Sequence, residues 1–198
     1  MNWYKTAQFK NLEGLIQPSD RIVVSKNEEI SFRDMSGAQS AEPKPKGLWY
    51  GLGTSWLEWM RSEMPHWIKG NIFKLEVNTD VMLMLDTEEK ILEFNDEYGI
   101  EEYAIMWPSV VLSYGGIEIN PYQYKLRLDS RVMWYYGWDV ASGCIWGESA
   151  FVGATKIVSG IENDPEVKKH KEEVNDWRKS WGGEEIGIDI GEEEDELV

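Results

Sequence analysis

Apolar positions along the chain come in short runs set off by glycine and proline, the pattern of many short strands and a few short helices. Residues 3–16 carry Trp3, Phe9, Leu12, Leu15 and Ile16 at helical spacing, which allows a short amphipathic helix that Pro18 ends. Arg21–Ser25 is β-branched with polar ends and reads as a buried strand, and the alternating Glu29–Arg33 is placed to pair with it. Gly47–Tyr50 is a further strand after the Pro43/Pro45 loop. Thr54 or Ser55 can cap a helix from about Trp56 to Met64, with Glu58 spaced to complete a capping box from Ser55. Strands follow at 71–78 and 81–85, then a helix over 87–98 with Ile91, Leu92 and Phe94 inward. Residues 101–107 and 109–114 fit either helix or strand. A short strand at 117–119 ends at Pro121, 122–128 alternates, and Gly143–Trp146 reads as the last core strand. Asp164-Pro165 opens a polar surface helix that runs to Trp181. The expected class is α+β with a mixed, largely antiparallel split β-sheet, a single domain over 1–183 and a solvated acidic tail over 184–198.

Composition narrows the partners. The 198 residues carry a formal net charge of −16, and eight acidic residues with no basic one lie between Glu184 and Val198. Such a surface repels phosphate backbones, so sequence-independent nucleic-acid binding is not expected. No apolar run reaches the ~20 residues of a membrane span, and Met1–Lys10 has no apolar signal-peptide core. A single cysteine, Cys144, and two distant histidines, His66 and His170, argue against a disulfide framework or a metal centre. These features point to a reducing, cytoplasmic setting. His170 falls in a charge-rich helix and reads as a solvated surface residue; Cys144 reads as a buried small hydrophobe. The eleven tryptophans are far above ordinary usage. Each serves either an aromatic-heavy core or a surface on which a flat ligand stacks.

Phosphate-loop, dinucleotide-fold and zinc-protease motifs are absent. What remains is a set of three segments: Arg21–Ser25, the stretch from Lys44 through Gly47-Leu-Trp-Tyr50 to Ser55-Trp-Leu-Glu-Trp59, and Tyr114-Gly-Gly-Ile-Glu118-Ile. The middle segment resembles the Gly-[ILV]-Tyr-Phe strand and Ser-x-x-Tyr helix start of the ADP-ribosyltransferases related to poly(ADP-ribose) polymerases and diphtheria toxin. That resemblance implies a fold with NAD in a cleft between two small sheets. It places Arg21 or Ser25 on the strand that holds the ribose or diphosphate. It puts Trp49, beside Tyr50, at the first stacking aromatic, with Trp56 or Trp59 near the second. Ser55 falls near the serine that bonds the carboxamide, and Glu118 takes the role of the catalytic glutamate. The first strand lacks the family's alternative histidine, Trp49 stands where tyrosine is usual, and no second acidic residue lies two positions before Glu118. The implied activity is cleavage of the nicotinamide glycosidic bond with transfer of ADP-ribose to an acceptor. From the residues alone, Glu118 is equally the exposed face of a strand, Arg21 a strand edge and Ser55 a helix cap. The alternative function is a non-catalytic acidic protein that binds a basic partner surface, as a nucleic-acid mimic does.

Overall fold

The computed structural model describes Leu12 and residues 14–182 other than Glu102. The chain forms strands β1 (Arg21–Ser25), β2 (Ala41–Glu42), β3 (Leu48–Leu52), helix α1 (Ser55–Glu63), strands β4 (Asn71–Val77) and β5 (Met82–Leu85), and helix α2 (Glu88–Tyr98). Then come β6 (Gly99–Ile100), β7 (Ala104–Met106), the short helix α3 (Trp107–Val110), β8 (Gly116–Ile119), β9 (Ser142–Ile145), β10 (Phe151–Val158) and α4 (Pro165–Ser180). Seven strands make one sheet in the order β10-β4-β1-β3-β9-β8-β5, and β2-β7-β6 make a second, three-stranded one. Among the described residues only β5 and β8 run parallel, so the fold is α+β with a mixed, largely antiparallel sheet.

Register assigns the side chains to faces, because ladder partners point the same way and successive residues alternate. Arg21 pairs with Leu52, Tyr50 with Gly143, and Gly143 with Glu118, so Arg21, Tyr50 and Glu118 share one face. Ile22, Trp49, Cys144 and Ile117 share the other. That second face carries the helices. Leu57 and Met60 of α1 and Val167 of α4 pack on Ile22 and Ile72. Ile91 and Phe94 of α2 and the 3-10 segment Ser130–Trp138 pack on Ile117, Ile119 and Cys144. The first face is covered instead by irregular chain: Ile30 and Phe32 lie over Val23, Tyr50 and Phe73, with Phe32 stacked on Phe151 at 5.0 Å.

Several expectations are corrected. Residues 29–33 form no strand; Ile30 and Phe32 alternate because they cap an apolar face without joining its ladder. Gly143–Trp146 is not the last strand, since Phe151–Val158 pairs along β4 through two register irregularities that blur its alternation. The alternating 122–128 is a 3-10 turn over Tyr124–Leu126. Of the two cap candidates, Thr54 is the residue that precedes α1, and its hydroxyl bonds the Glu58 carboxylate at 2.6 Å. His170 is buried, its Nε2 2.9 Å from the Arg61 carbonyl, because α4 turns that side inward. Cys144 is buried as expected. Residues 101–107 resolve into β7 and the start of α3. The helix expected at 3–16 falls mostly, and the tail at 184–198 wholly, outside the described residues.

Gly143 is the tightest point of the sheet. A Cβ there would run into the Tyr50 hydroxyl and ring and lie 2.7 Å from the Ile117 carbonyl oxygen. The absent side chain is what lets Tyr50 lie across β9 toward β8. Gly143→Ala is expected to destabilise the fold by about 2 kcal/mol through overpacking, read as a lower denaturation midpoint at unchanged slope. An unchanged midpoint would show that Tyr50 does not need this passage.

Candidate functional site

Glu118 is the one acidic side chain on the inner stretch of β8, and it is only 3% exposed. A buried carboxylate is costly unless it is paired and hydrogen-bonded. Both requirements are met from other strands. The Arg21 Nε donates to Glu118 Oε2 at 2.7 Å across 97 positions, and the Tyr50 hydroxyl donates to the same oxygen at 2.8 Å across 68. Oε1 accepts no hydrogen bond among the described residues. Arg21 keeps a fifth of its side chain in solvent, so the cluster reaches the surface through the guanidinium. The guanidinium carbon also lies 6.0 Å from the Tyr50 ring centroid.

The electrostatics follow from this packing. Burial opposes the charge on Arg21, but the hydrogen bond and the charge of Glu118 outweigh it and raise the guanidinium pKa further. Burial, then the charge of Glu118 and the hydrogen bond to it, push the Tyr50 phenol well above its ordinary range; Arg21 offsets part of this. Tyr50 is therefore a neutral donor and Arg21 a permanent cation at all physiological pH values.

Of the residues singled out from the sequence, the fold brings together Arg21, Tyr50 and Glu118. It separates the rest. Trp49 lies on the helix face, its ring 4.9 Å from Trp138 and its Nε1 donating to the Pro45 carbonyl at 3.2 Å. Trp56 is stacked on Trp59 at 4.8 Å beside Ile22, also on the helix face. An aromatic sandwich made by Trp49 and Trp56 over Glu118 is thus replaced by the single ring of Tyr50, since strand alternation sends residues 49 and 50 to opposite sides. Ser25 ends β1 opposite Asn71 and its hydroxyl accepts from the Asn27 amide at 3.1 Å. The Ser55 hydroxyl donates to the Ala141 carbonyl at 3.1 Å. Ser55 also lines an open depression of about 430 Å³ at the end of β3, with Leu52, Gly53, Thr54 and Glu58. Leu52 is the ladder partner of Arg21, and the Gly53 amide, at φ +55°, donates to the Asp20 carbonyl at 2.7 Å. The depression therefore adjoins the strand end that carries Arg21. Among the described residues no three acidic, histidine or cysteine side chains are grouped to hold a metal ion. No helix there is long and apolar enough to cross a membrane. The sequence offered Gly143 no special status; only its pairing with both Tyr50 and Glu118 shows its part in the site.

Two outcomes are expected. Glu118→Gln leaves Arg21 half-buried without its anion and lowers stability by about 3 kcal/mol, and Tyr50→Phe lowers it by about 1.5 kcal/mol; additive losses in the double variant would show that the two groups are not coupled. The second concerns pH. Tyr50 has a raised pKa in the native state, as do Tyr98, pushed to about 12 chiefly by its hydrogen bond to Glu97, and Tyr122, pushed to about 12 by burial. Unfolded tyrosines ionise near about pH 10, so above that pH the unfolded chain releases protons that the native chain retains, and stability falls as pH rises toward the native values. Denaturant titrations at about pH 8 and about pH 11 read this directly; equal midpoints would contradict it. Comparison of the chain with family models, curated proteins and solved structures returned no match.

Proposed function

We propose that the protein is an NAD-handling enzyme of the ADP-ribosyltransferase type, working through Arg21, Tyr50 and Glu118 rather than through the tryptophans. The observation that carries this reading is the convergence of an arginine, an aromatic and a buried glutamate from three separate strands, in the chain order the resemblance implies. In this reading the diphosphate draws the Arg21 fork off Glu118, because arginine matches phosphate oxygens with several donors at once. The freed carboxylate accepts from a ribose hydroxyl and faces the anomeric carbon. The C–N bond to nicotinamide then breaks with its electron pair leaving on nicotinamide, and positive charge builds on the ribose. The fixed carboxylate stabilises that charge in a water-poor site. The flat Tyr50 ring restrains the nicotinamide during departure. A nucleophile, either water or an acceptor group, closes the bond to the anomeric carbon and loses its proton.

The test is nicotinamide release from NAD, followed chromatographically, with calorimetric binding alongside. Wild-type protein is expected to release nicotinamide at about millimolar NAD, and Glu118→Gln to lose at least about 100-fold in rate while still binding NAD and keeping its circular dichroism. Arg21→Gln is expected to weaken binding instead. If folded wild-type protein neither binds NAD nor releases nicotinamide, the enzymatic reading fails and the acidic interaction protein takes its place.

A further inference from the structure

Helix α4 is held down by a narrow stripe. Of its sixteen residues only Val167, His170 and Val174 are buried, at the spacing of one helical face. Val167 joins Leu57 and Met60 of α1, Ile68 and Ile72 in one apolar cluster. The middle of the stripe is thus a titratable group. The His170 Nε2 donates to the Arg61 carbonyl at 2.9 Å. That bond fixes the proton of the neutral ring on Nε2, because a carbonyl can only accept. The next residue adds a second anchor: the Lys171 Nζ donates to the Ile68 carbonyl at 2.6 Å.

His66, the only other histidine of the chain, lies on the same seam. Its 3-10 turn, Pro65–Trp67, packs on α4 and sits in the chain between the two anchored carbonyls of Arg61 and Ile68. The His66 Nδ1 is shut off from solvent and has no hydrogen-bond partner among the described residues. A neutral ring tolerates this, since Nδ1 is then a bare lone pair. A protonated ring puts a charged N–H there with nothing to receive it. Cations outnumber carboxylates around the two rings. His66 faces Lys69 of its own loop and Arg178 and Lys171 of α4; burial and then these three cations hold its pKa below the ordinary histidine value. His170 faces Arg61 of α1 and Lys171 and Glu173 of α4. Burial is the largest cause of its lowered pKa, and the charges of Arg61 and Lys171 act the same way, against the carbonyl hydrogen bond and Glu173. Glu166 stands one turn before His170, its Oε2 closed off without a partner, and Glu162 faces Lys171 while accepting from the Gly70 amide at 2.7 Å.

We propose that α4 is an acid-released strap: when His66 and His170 each take a second proton, α4 lifts off α1 and the 3-10 turn and uncovers the apolar patch of Leu57, Met60, Ile68 and Ile72, while the main sheet stays folded. The release is local because histidine is the side chain whose ordinary pKa falls between about pH 5 and about pH 8, and the chain has no histidine elsewhere. Its direction follows from linkage. A histidine whose pKa is depressed while α4 is docked binds its proton more readily once α4 is free. Docking is therefore intact above about pH 6.5 and weakens as pH falls below it. Two protons taken up on one seam make the loss steeper than one. The seam lies on the helix face of the sheet, so the proposal does not depend on the NAD reading of Glu118.

Hydrogen–deuterium exchange followed by mass spectrometry reads the strap directly. After correction for the intrinsic pH dependence of amide exchange, α4 peptides are expected to exchange at least about tenfold faster at about pH 5 than at about pH 7.5, while β1, β3, β8 and β9 keep their protection. Glutamine keeps an N–H donor for the Arg61 carbonyl and takes no proton. The double variant carrying His66→Gln and His170→Gln is therefore expected to keep α4 protected at both pH values. Should that variant lose α4 protection already at about pH 7.5, the imidazole C–H proton resonances of the wild-type protein decide. Both histidines are expected to titrate below about 6.5, with midpoints that coincide with the rise in α4 exchange. Equal α4 protection at both pH values in the wild type, undiminished acceleration in the glutamine variant, a histidine midpoint at or above about 6.5, or equal acceleration throughout the sheet would each overturn the proposal.

Discussion

A carboxylate buried in a sheet has to find its counter-charge and its hydrogen bonds within the fold, and Glu118 finds both on one oxygen. That requirement ties together four strands that are distant in sequence. Arg21 must sit on β1 at the level of Leu52, Tyr50 on β3 opposite Gly143, and Gly143 on β9 opposite Glu118. Slipping any one strand by a single residue would turn its member of the set to the helix face and strand a charge in an apolar layer. The cluster therefore acts as a register lock as well as a candidate reaction centre. The cost of breaking it is large because removing one partner leaves the other without compensation.

The two faces of the main sheet do different jobs. The helix face holds most of the aromatic mass: Trp107, Trp134, Trp138 and Trp146 are fully buried there, in contact with α2, α3 and the 3-10 segment. The other face is closed by irregular chain and carries the polar cluster. Irregular cover is suited to a site, since a loop can yield to a ligand at less cost than a packed helix. The same division explains why the tryptophan excess is a poor guide to the Glu118 site. Those rings build the core, and where one is left with an idle N–H, at Trp138, it lies on the helix face.

Strands with strong β-branched character were legible from the chain, as Arg21–Ser25 and Asn71–Val77 illustrate, and so were helices with clear caps. Thr87 accepts from the Lys90 amide at 3.2 Å and Asp164 from the Glu166 amide at 2.8 Å, local bonds that fix the starts of the two helices read over 87–98 and from Asp164-Pro165. Segments whose pattern reflects tertiary neighbours were misread. Ile30 and Phe32 alternate like a strand but serve as a lid, and β10 hides its alternation in two register irregularities. His170 looked solvated because its helix is highly charged, yet a single inward stripe suffices to bury it.

Local chemistry alone determined the α+β class, the short elements, the acidic balance and the shortlist that held Arg21, Tyr50 and Glu118, because propensity, capping and charge are properties of neighbours in sequence. Tertiary structure decided which aromatic accompanies the glutamate. Residues 49 and 50 point to opposite sides of β3, and only the pairing of β3 through Gly143 to β8 shows that the ring of Tyr50, and not that of Trp49, shares a face with Glu118.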